Sequence, residues 1–170
     1  ARYYKRLLPI PFIAITGSVG KTTTKDMAAA VLGARFRVHK TEGNFNNDIG
    51  VPLTLLKLER QHQVCVVELG MDHAGEIDYL GKLVEPDMAL ITNIGDAHIE
   101  NLGSRENIFK AKCEIFPHLK PGGLAVLNGD DPLLSTLRGK LPQPTVFVGS
   151  SQGLDYTACD LNSDGGGHFS

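Results

Sequence analysis

Lys21-Thr22-Thr23-Thr24 comes directly after Gly17-Ser18-Val19-Gly20. Those residue types in that order are what a phosphate-binding loop is made of. Glycines let backbone N–H groups approach phosphate oxygens, and a helix opening behind them adds its partial positive charge. In such a loop Lys21 reaches the terminal phosphates of a nucleotide, and the Thr22 hydroxyl holds Mg²⁺. The common form keeps four residues between its glycines. Here only Ser18 and Val19 separate Gly17 from Gly20, and Ile15 stands where the earlier glycine would be. The bland alternative is a strand-to-helix turn with a solvated lysine. An apolar strand-like run before the loop and a helical pattern behind it favour phosphate binding, with Gly17, Ser18, Val19, Gly20, Lys21, Thr22 and Thr23 as its residues.

Four further positions have chemistry to offer. Glu68 closes the apolar run VCVVE; a carboxylate at a strand end beside a phosphate loop is placed to bind Mg²⁺ directly or through water. His98 ends another such run, in NIGDAH. A lone histidine is more often structural, and Mg²⁺ prefers oxygen to imidazole. Asn128, in LNGDD, offers an amide to a purine edge or to a local Asx-turn, with Asp130 or Asp131 as the cap of the next helix. Lys112 stands in the apolar stripe of a helical segment, between Ile108, Phe109, Ile115, Phe116 and Leu119, while Lys110 and Glu114 point outward. A lysine there either snorkels to water or is desolvated, kept close to neutral and aimed at a site. The loop 41–48 adds Asn44, Asn46 and Asn47, as pocket-lining amides or as turn formers, and the sequence does not rank the three. His73, beside Glu76, is near the site at best. His39, His62, His118 and His168 belong to no constellation.

The elements that must position these residues are legible as well. Five apolar runs, PFIAIT (11–16), RFRVH (35–39), VCVVELG (64–70), MALITNI (88–94) and LAVLNG (124–129), alternate with helical segments at 21–33, 50–58, 75–84, 104–119 and 131–139. Several runs are continuous rather than alternating, as in strands covered on both faces. The pattern predicts an α/β fold of the P-loop nucleotide-binding kind: a mostly parallel, doubly wound sheet. After Pro142 short strands succeed one another without a helix, which predicts a small antiparallel addition near the C-terminus.

Composition bounds the rest. The chain has 170 residues, 42% hydrophobic and 21% charged, which suits one compact domain, 1–170. A net charge of −2 argues against nucleic acid or an anionic membrane surface as main partner. No apolar run reaches membrane-spanning length. The basic start ARYYKR runs into a core strand rather than a cleavage segment. Cys65, Cys113 and Cys159 are widely spaced and odd in number, pointing to free thiols of a reducing compartment. The absence of an initial Met and the HFS ending in a strand-like run suggest a piece of a longer protein.

The short loop, with TEGNFNNDIGVPLTLLKL (41–58), ELGMDHAGEI (68–77), NIGDAHIENLGS (93–104), AKCEIF (111–116) and LNGDD (127–131), resembles the central ATP-binding domain of the Mur ligase family. The resemblance runs in unbroken order from about Ile10 to Asp131 and is weak after Pro142. It implies ATP as cofactor with two Mg²⁺ ions, Thr22 and Glu68 serving the first. For the second it implies His98 and a Lys112 carbamylated by CO₂, and it sets Asn128 near adenine. It further implies a cytoplasmic, monomeric ATP-dependent carboxylate–amine ligase of peptidoglycan precursor synthesis, working through an acyl phosphate. Its partners would be UDP-N-acetylmuramoyl-tripeptide and D-alanyl-D-alanine. Separate N-terminal UDP-binding and C-terminal domains would lie elsewhere in the full enzyme, and the isolated piece would be inactive. Folylpolyglutamate and cyanophycin synthetases share such a domain and form the alternative within the class. A GTPase-like switch is the alternative outside it: Asp72-His73-Ala74-Gly75 reads D-x-x-G, but no N-K-x-D accompanies it.

Overall fold

The structure, a computed structural model, describes residues 1–159. Seven strands form one sheet: β1 (Phe12–Thr16), β2 (Val38–Lys40), β3 (Val64–Glu68), β4 (Met88–Ile91), β5 (Leu124–Asn128), β6 (Thr145–Gly149) and β7 (Tyr156–Thr157). Their order is β2-β3-β1-β4-β5-β6-β7, and every pairing is parallel. Helices α1 (Arg2–Arg6), α2 (Lys21–Gly33), α3 (Gly50–Leu56), α4 (Glu76–Val84), α5 (Ile99–Leu102) and α6 (Arg105–Cys113) complete the set. No helix among the described residues is long and apolar enough to cross a membrane.

The strand alternation divides the core in two. Ile15 and Val66 face Ala29 of α2 on one side of the sheet. Ala14, Val67, Ala89 and Ile91 face the other, where Leu55 of α3, Leu80 of α4 and Ile108 of α6 pack against them. All of these but Ala29 are at most 1% exposed, so truncating Leu55 or Ile108 to alanine would cost about 2–5 kcal/mol. Strand β3, between β1 and β2, is buried at every position, as its continuous apolar run predicts. Strands β4 and β5 instead alternate buried and half-buried residues.

From β1 the chain runs through α2 to one side of the sheet, and from β4 it runs to the other. The crevice at the carboxyl ends of β1 and β4 is therefore a topological switch point, where α/β sheets bind ligands. The loop at 17–20, Glu68 and His98 all lie at or just past strand ends on this rim.

Several expectations are corrected. The C-terminal addition is parallel, not antiparallel: Val148 pairs with Tyr156 and Gly149 with Thr157 in parallel register. Asp130 turns the chain back by accepting from the Ser150 and Ser151 N–H groups at 2.6 and 3.0 Å, and Asp155 then takes the Phe147 N–H at 2.7 Å. The second strand begins at Val38 rather than 35, and the helix expected at 131–139 is a 3-10 turn over Leu134–Leu137. The helix expected over 104–119 stops at Cys113 and continues as a 3-10 turn, Phe116–His118. Pro117 has no N–H to give the Cys113 carbonyl, so the α-helical ladder ends there. The glycine turn and final strand expected in DGGGHFS lie outside the described residues.

Candidate functional site

The loop 17–20 is sewn to the segment after β4. Ser18 N–H donates to the Asn93 carbonyl at 3.1 Å, Val19 N–H to Asn93 Oδ1 at 3.0 Å, and the Thr92 hydroxyl to the Val19 carbonyl at 2.6 Å. Gly95 N–H reaches Ser18 Oγ at 2.8 Å. Gly17 has φ +149, and a Cβ built on it would lie 1.8 Å from Thr92 Oγ1. Only glycine admits both that conformation and that approach. Gly20, with φ 78, turns the chain into the thirteen-residue α2, whose N-terminus faces the loop.

Lys21 folds back over this loop, Nζ donating to the Gly17 carbonyl at 2.9 Å and to that of Ser18 at 3.4 Å. Burial lowers its pKa below the ordinary lysine value, and the charge of Glu68 works against that. Thr23 is exposed on the first turn of α2. Thr16, immediately before the loop, buries a hydroxyl that makes no hydrogen bond.

Glu68 is only 2% exposed, and its carboxylate is met on several sides. It accepts from Thr22 Oγ1 at 3.0 Å and from Asn46 Nδ2 at 2.9 Å. Lys25 Nζ, equally buried, stands 3.9 Å away. The Glu68 N–H is held by Thr41 Oγ1 at 3.0 Å. A buried charge needs such partners, and here they bring β3, α2 and the asparagine loop to one point.

A cavity of about 670 Å³ opens beside this cluster, lined by Lys21, Asn44, Asn46, Asn47, Asp72 and His98 among others. The structure thereby separates the three asparagines. Asn46 is tied to Glu68. Asn47 Oδ1 accepts from Gly50 N–H at 2.9 Å and so starts α3, and Asn44 simply borders the cavity. His98 has left-handed φ of 68, and its Nδ1 lies 3.0 Å from Asp72 Oδ1. His73 is well exposed and pairs loosely with Glu76 at 3.5 Å.

Lys112 and Asn128 stand apart from that cavity wall. Lys112 is 1% exposed, and its side-chain ammonium engages no described residue by hydrogen bond or ion pair. Burial, and then the positive charge of Lys21, lower its pKa to about 7. The side chain is thus buried within the stripe. Asn128 uses its amide inside the protein: Nδ2 donates to the Thr92 carbonyl at 2.9 Å, and Oδ1 accepts from Asp130 N–H at 3.0 Å. That is the Asx-turn alternative. Asp131 provides the cap, accepting from Leu133 and Leu134 N–H and holding Ile94 N–H at 2.7 Å. Burial pushes the Cys65 and Cys113 thiols up to about 12, and Cys159 is exposed.

Sequence reasoning missed several functional partners. Lys25 shares a helix face with Thr22, three residues before it, which was a usable signal. Glu114 does not point outward. Its carboxylate accepts from Gly75 N–H at 2.9 and 3.0 Å and from Asp78 N–H at 3.1 Å, capping α4. Thr92, Asn93 and the Asp72–His98 contact carry no sequence signal, because they depend on how loops from different strands meet.

The donor chemistry fits a loop-bound Mg²⁺. Thr22 and Glu68 place hydroxyl and carboxylate oxygens together beside Lys21, and Mg²⁺ commonly takes one or two protein oxygens and completes its shell with phosphates and water. Among the described residues no three His, Cys, Asp or Glu side chains gather into a closed cage.

The family profile described as Mur ligase middle domain matches residues 15–169. The UDP-N-acetylmuramoyl-tripeptide–D-alanyl-D-alanine ligase of Bacillus subtilis is 48% identical over 170 residues, covering 99% of this chain and 36% of its own length. The crystal structure of MurF from Acinetobacter baumannii superposes with a TM-score of 0.89 at 39% identity, over 95% of this chain and 36% of the other. MurF from Thermotoga maritima, solved in complex with ADP, superposes at 0.86 with 35% identity, over 96% and 38%. The chain thus spans little more than a third of the length of the relatives it matches.

Proposed function

This chain belongs to the Mur ligase family, whose middle domain it carries, and from that premise we propose that it is the ATP-binding part of a cytoplasmic ligase of peptidoglycan precursor synthesis. The reaction joins D-alanyl-D-alanine to UDP-N-acetylmuramoyl-tripeptide. In the longer protein, separate N-terminal and C-terminal domains hold the nucleotide-linked tripeptide and bring the dipeptide, and the enzyme acts as a monomer.

The observation that carries this reading is the Thr22–Glu68 contact across the short glycine loop, with Lys21 over it. Lys21 and the loop amides hold the β- and γ-phosphates of ATP and stabilise charge that builds during phosphoryl transfer to the substrate carboxylate. The amine of the dipeptide then attacks the acyl phosphate, and the tetrahedral intermediate collapses to amide and phosphate. Thr22 and Glu68 hold the first Mg²⁺; His98 and Lys112 serve the second. Bound Mg²⁺ supplies charge neutralisation on the transferring phosphoryl group. Lys112 suits its part because an amine whose pKa is lowered to about 7 is partly neutral near pH 7 and can add to CO₂, its nitrogen bonding the carbon while one proton leaves to solvent. The product is a carboxylate-like carbamate. Asn46 and Asn44 border the acceptor carboxylate, and Asn128 lies near adenine.

The test is calorimetric titration of ATP and of GTP, with Mg²⁺, into the wild-type chain and Lys21→Ala. ATP binding without GTP binding, lost in the variant, is the expected result. GTP preference would overturn the ligase reading in favour of a switch centred on Asp72–Gly75. The chain alone should release no phosphate with both substrates present, whereas the full-length enzyme should.

A further inference from the structure

Residues 42–49 form a loop in which every member is exposed except one. Asn46 alone is half-buried, and its Nδ2 donates to Glu68 Oε1 at 2.9 Å. An ionised carboxylate only accepts, so the donor end of the amide is the one that faces it. The backbone of Asn46 is fixed as well. Its carbonyl accepts from Gly70 N–H at 2.7 Å, and its N–H donates to the Asn44 carbonyl at 2.8 Å. Two glycines make room for this arrangement. A Cβ at Gly70 would lie 2.8 Å from Asn46 Cγ and Oδ1, and one at Gly50 would run into the Phe45 backbone. Gly70 is not a residue of positive φ, so what it gives Asn46 is space.

The Glu68 carboxylate is thereby divided between two neighbours. Oε1 takes the Asn46 amide, while Oε2 takes the Thr22 hydroxyl at 3.0 Å and has Lys25 Nζ 3.9 Å away. With its hydrogen committed to Oε2, the Thr22 hydroxyl keeps its lone pairs free. Rotation about the last bond of a glutamate meets only a broad, low barrier. Without Asn46, Oε1 would be buried with no partner, and the carboxylate could turn.

We propose that Asn46 is a positioning residue for Glu68: its amide engages Oε1, stops the carboxylate from rotating, and keeps Oε2 turned to Thr22. The orientation of the strand-end acid is thus set by the loop that lines the cavity. Hydrogen bonds behind a ligating carboxylate typically contribute about 10- to 100-fold to metal affinity. The proposal deepens, and rests on, the reading of Glu68 as a ligand of the first Mg²⁺, but its first test needs no metal.

That test is the side-chain amide ¹H–¹⁵N spectrum of the intact, metal-free chain. The Asn46 pair, assigned by its loss in Asn46→Ala, should have one proton shifted downfield by the carboxylate. Glu68→Gln should return it towards the free-amide position, and an Asn46 pair unmoved by that change would overturn the proposal. Mn²⁺ titration in the presence of ADP then reads the role. Affinity should fall about 10-fold or more in Asn46→Ala, with metal-free ADP affinity as in the wild type, which a general loosening of the fold would not spare. Gly70→Ala should bring a similar loss by displacing the amide, and should cost nothing further once residue 46 is alanine. Undiminished Mn²⁺ affinity in Asn46→Ala, beside a weakened Glu68→Gln, would overturn the positioning role. Undiminished affinity in Glu68→Gln would instead overturn the metal reading, and the amide spectra alone would decide the pairing.

Discussion

Lys112, buried in the layer between α6 and the sheet, lies within reach of the charge on Lys21. Burial first and that charge second hold its pKa near 7 rather than the usual 10.5. In the unfolded chain the amine keeps its proton up to about pH 10.5, so between these limits the unfolded state binds more protons. Stability should therefore rise with pH from about 7 towards about 10.5, and below about 7 the burial penalty is carried in full. Lys112→Met removes that dependence and should be more stable than wild type at pH 7 by a few kcal/mol. Denaturant unfolding of both proteins across this range, in carbonate-free buffer, checks it. Identical pH slopes would refute it.

The same lowered pKa governs reaction with CO₂. Given ¹³C-labelled bicarbonate, the wild type should gain one carbamate resonance that grows as pH rises past 7 and the neutral amine predominates. Lys112→Arg should gain none. A resonance that survives in the arginine variant would place the carbamate on another amine.

Gly17 and Thr92 set a third expectation. Gly17→Ala drives a Cβ into Thr92 Oγ1 while also forcing a φ that alanine resists, so it should destabilise by more than about 1 kcal/mol. Thr92→Ala added to it should recover part of the loss, because the clash goes while the backbone strain stays. Thermal unfolding of the four proteins of this cycle gives the coupling. Strict additivity would mean that the two residues do not meet.

Glu114 gives a fourth. Its carboxylate serves α4 as an N-cap supplied from another helix, and Glu114→Ala should cost about 1–2 kcal/mol. Glu114→Gln, which keeps one acceptor oxygen and loses the charge, should fall between. Chemical denaturation distinguishes them, and an alanine variant as stable as wild type would show the cap to be idle.

Much of this architecture can be read from the residues in order. The phosphate loop, Glu68 at the end of β3 and the burial of Lys112 each rest on a local pattern: strand, turn and helix, a strand-end acid, a helical stripe. The features that escape depend on contacts that no local pattern encodes. Tyr156–Thr157 reads as antiparallel because so short a return usually makes a hairpin. Asp130 and Asp155, carboxylates with no strand signal of their own, turn the chain instead. Glu114 reads as solvent-facing when helical periodicity is extended through it, whereas the α-helix ends one residue earlier, at Cys113. Asn44, Asn46 and Asn47 are alike in type and differ only in what the fold brings to them.

The Lys21 ammonium rests on the carbonyls of Gly17 and Ser18, so the loop is a ring closed by its own lysine. On the proposed reading, nucleotide entry would be an exchange reaction, in which two internal bonds are surrendered for bonds to phosphate. Alanine at position 21 would remove the clasp as well as the proposed ligand contact, and the binding energy it deletes would be a sum over both. Separating them calls for a neutral side chain that still spans the ring, such as Lys21→Gln, whose amide can close the loop without offering phosphate a charge.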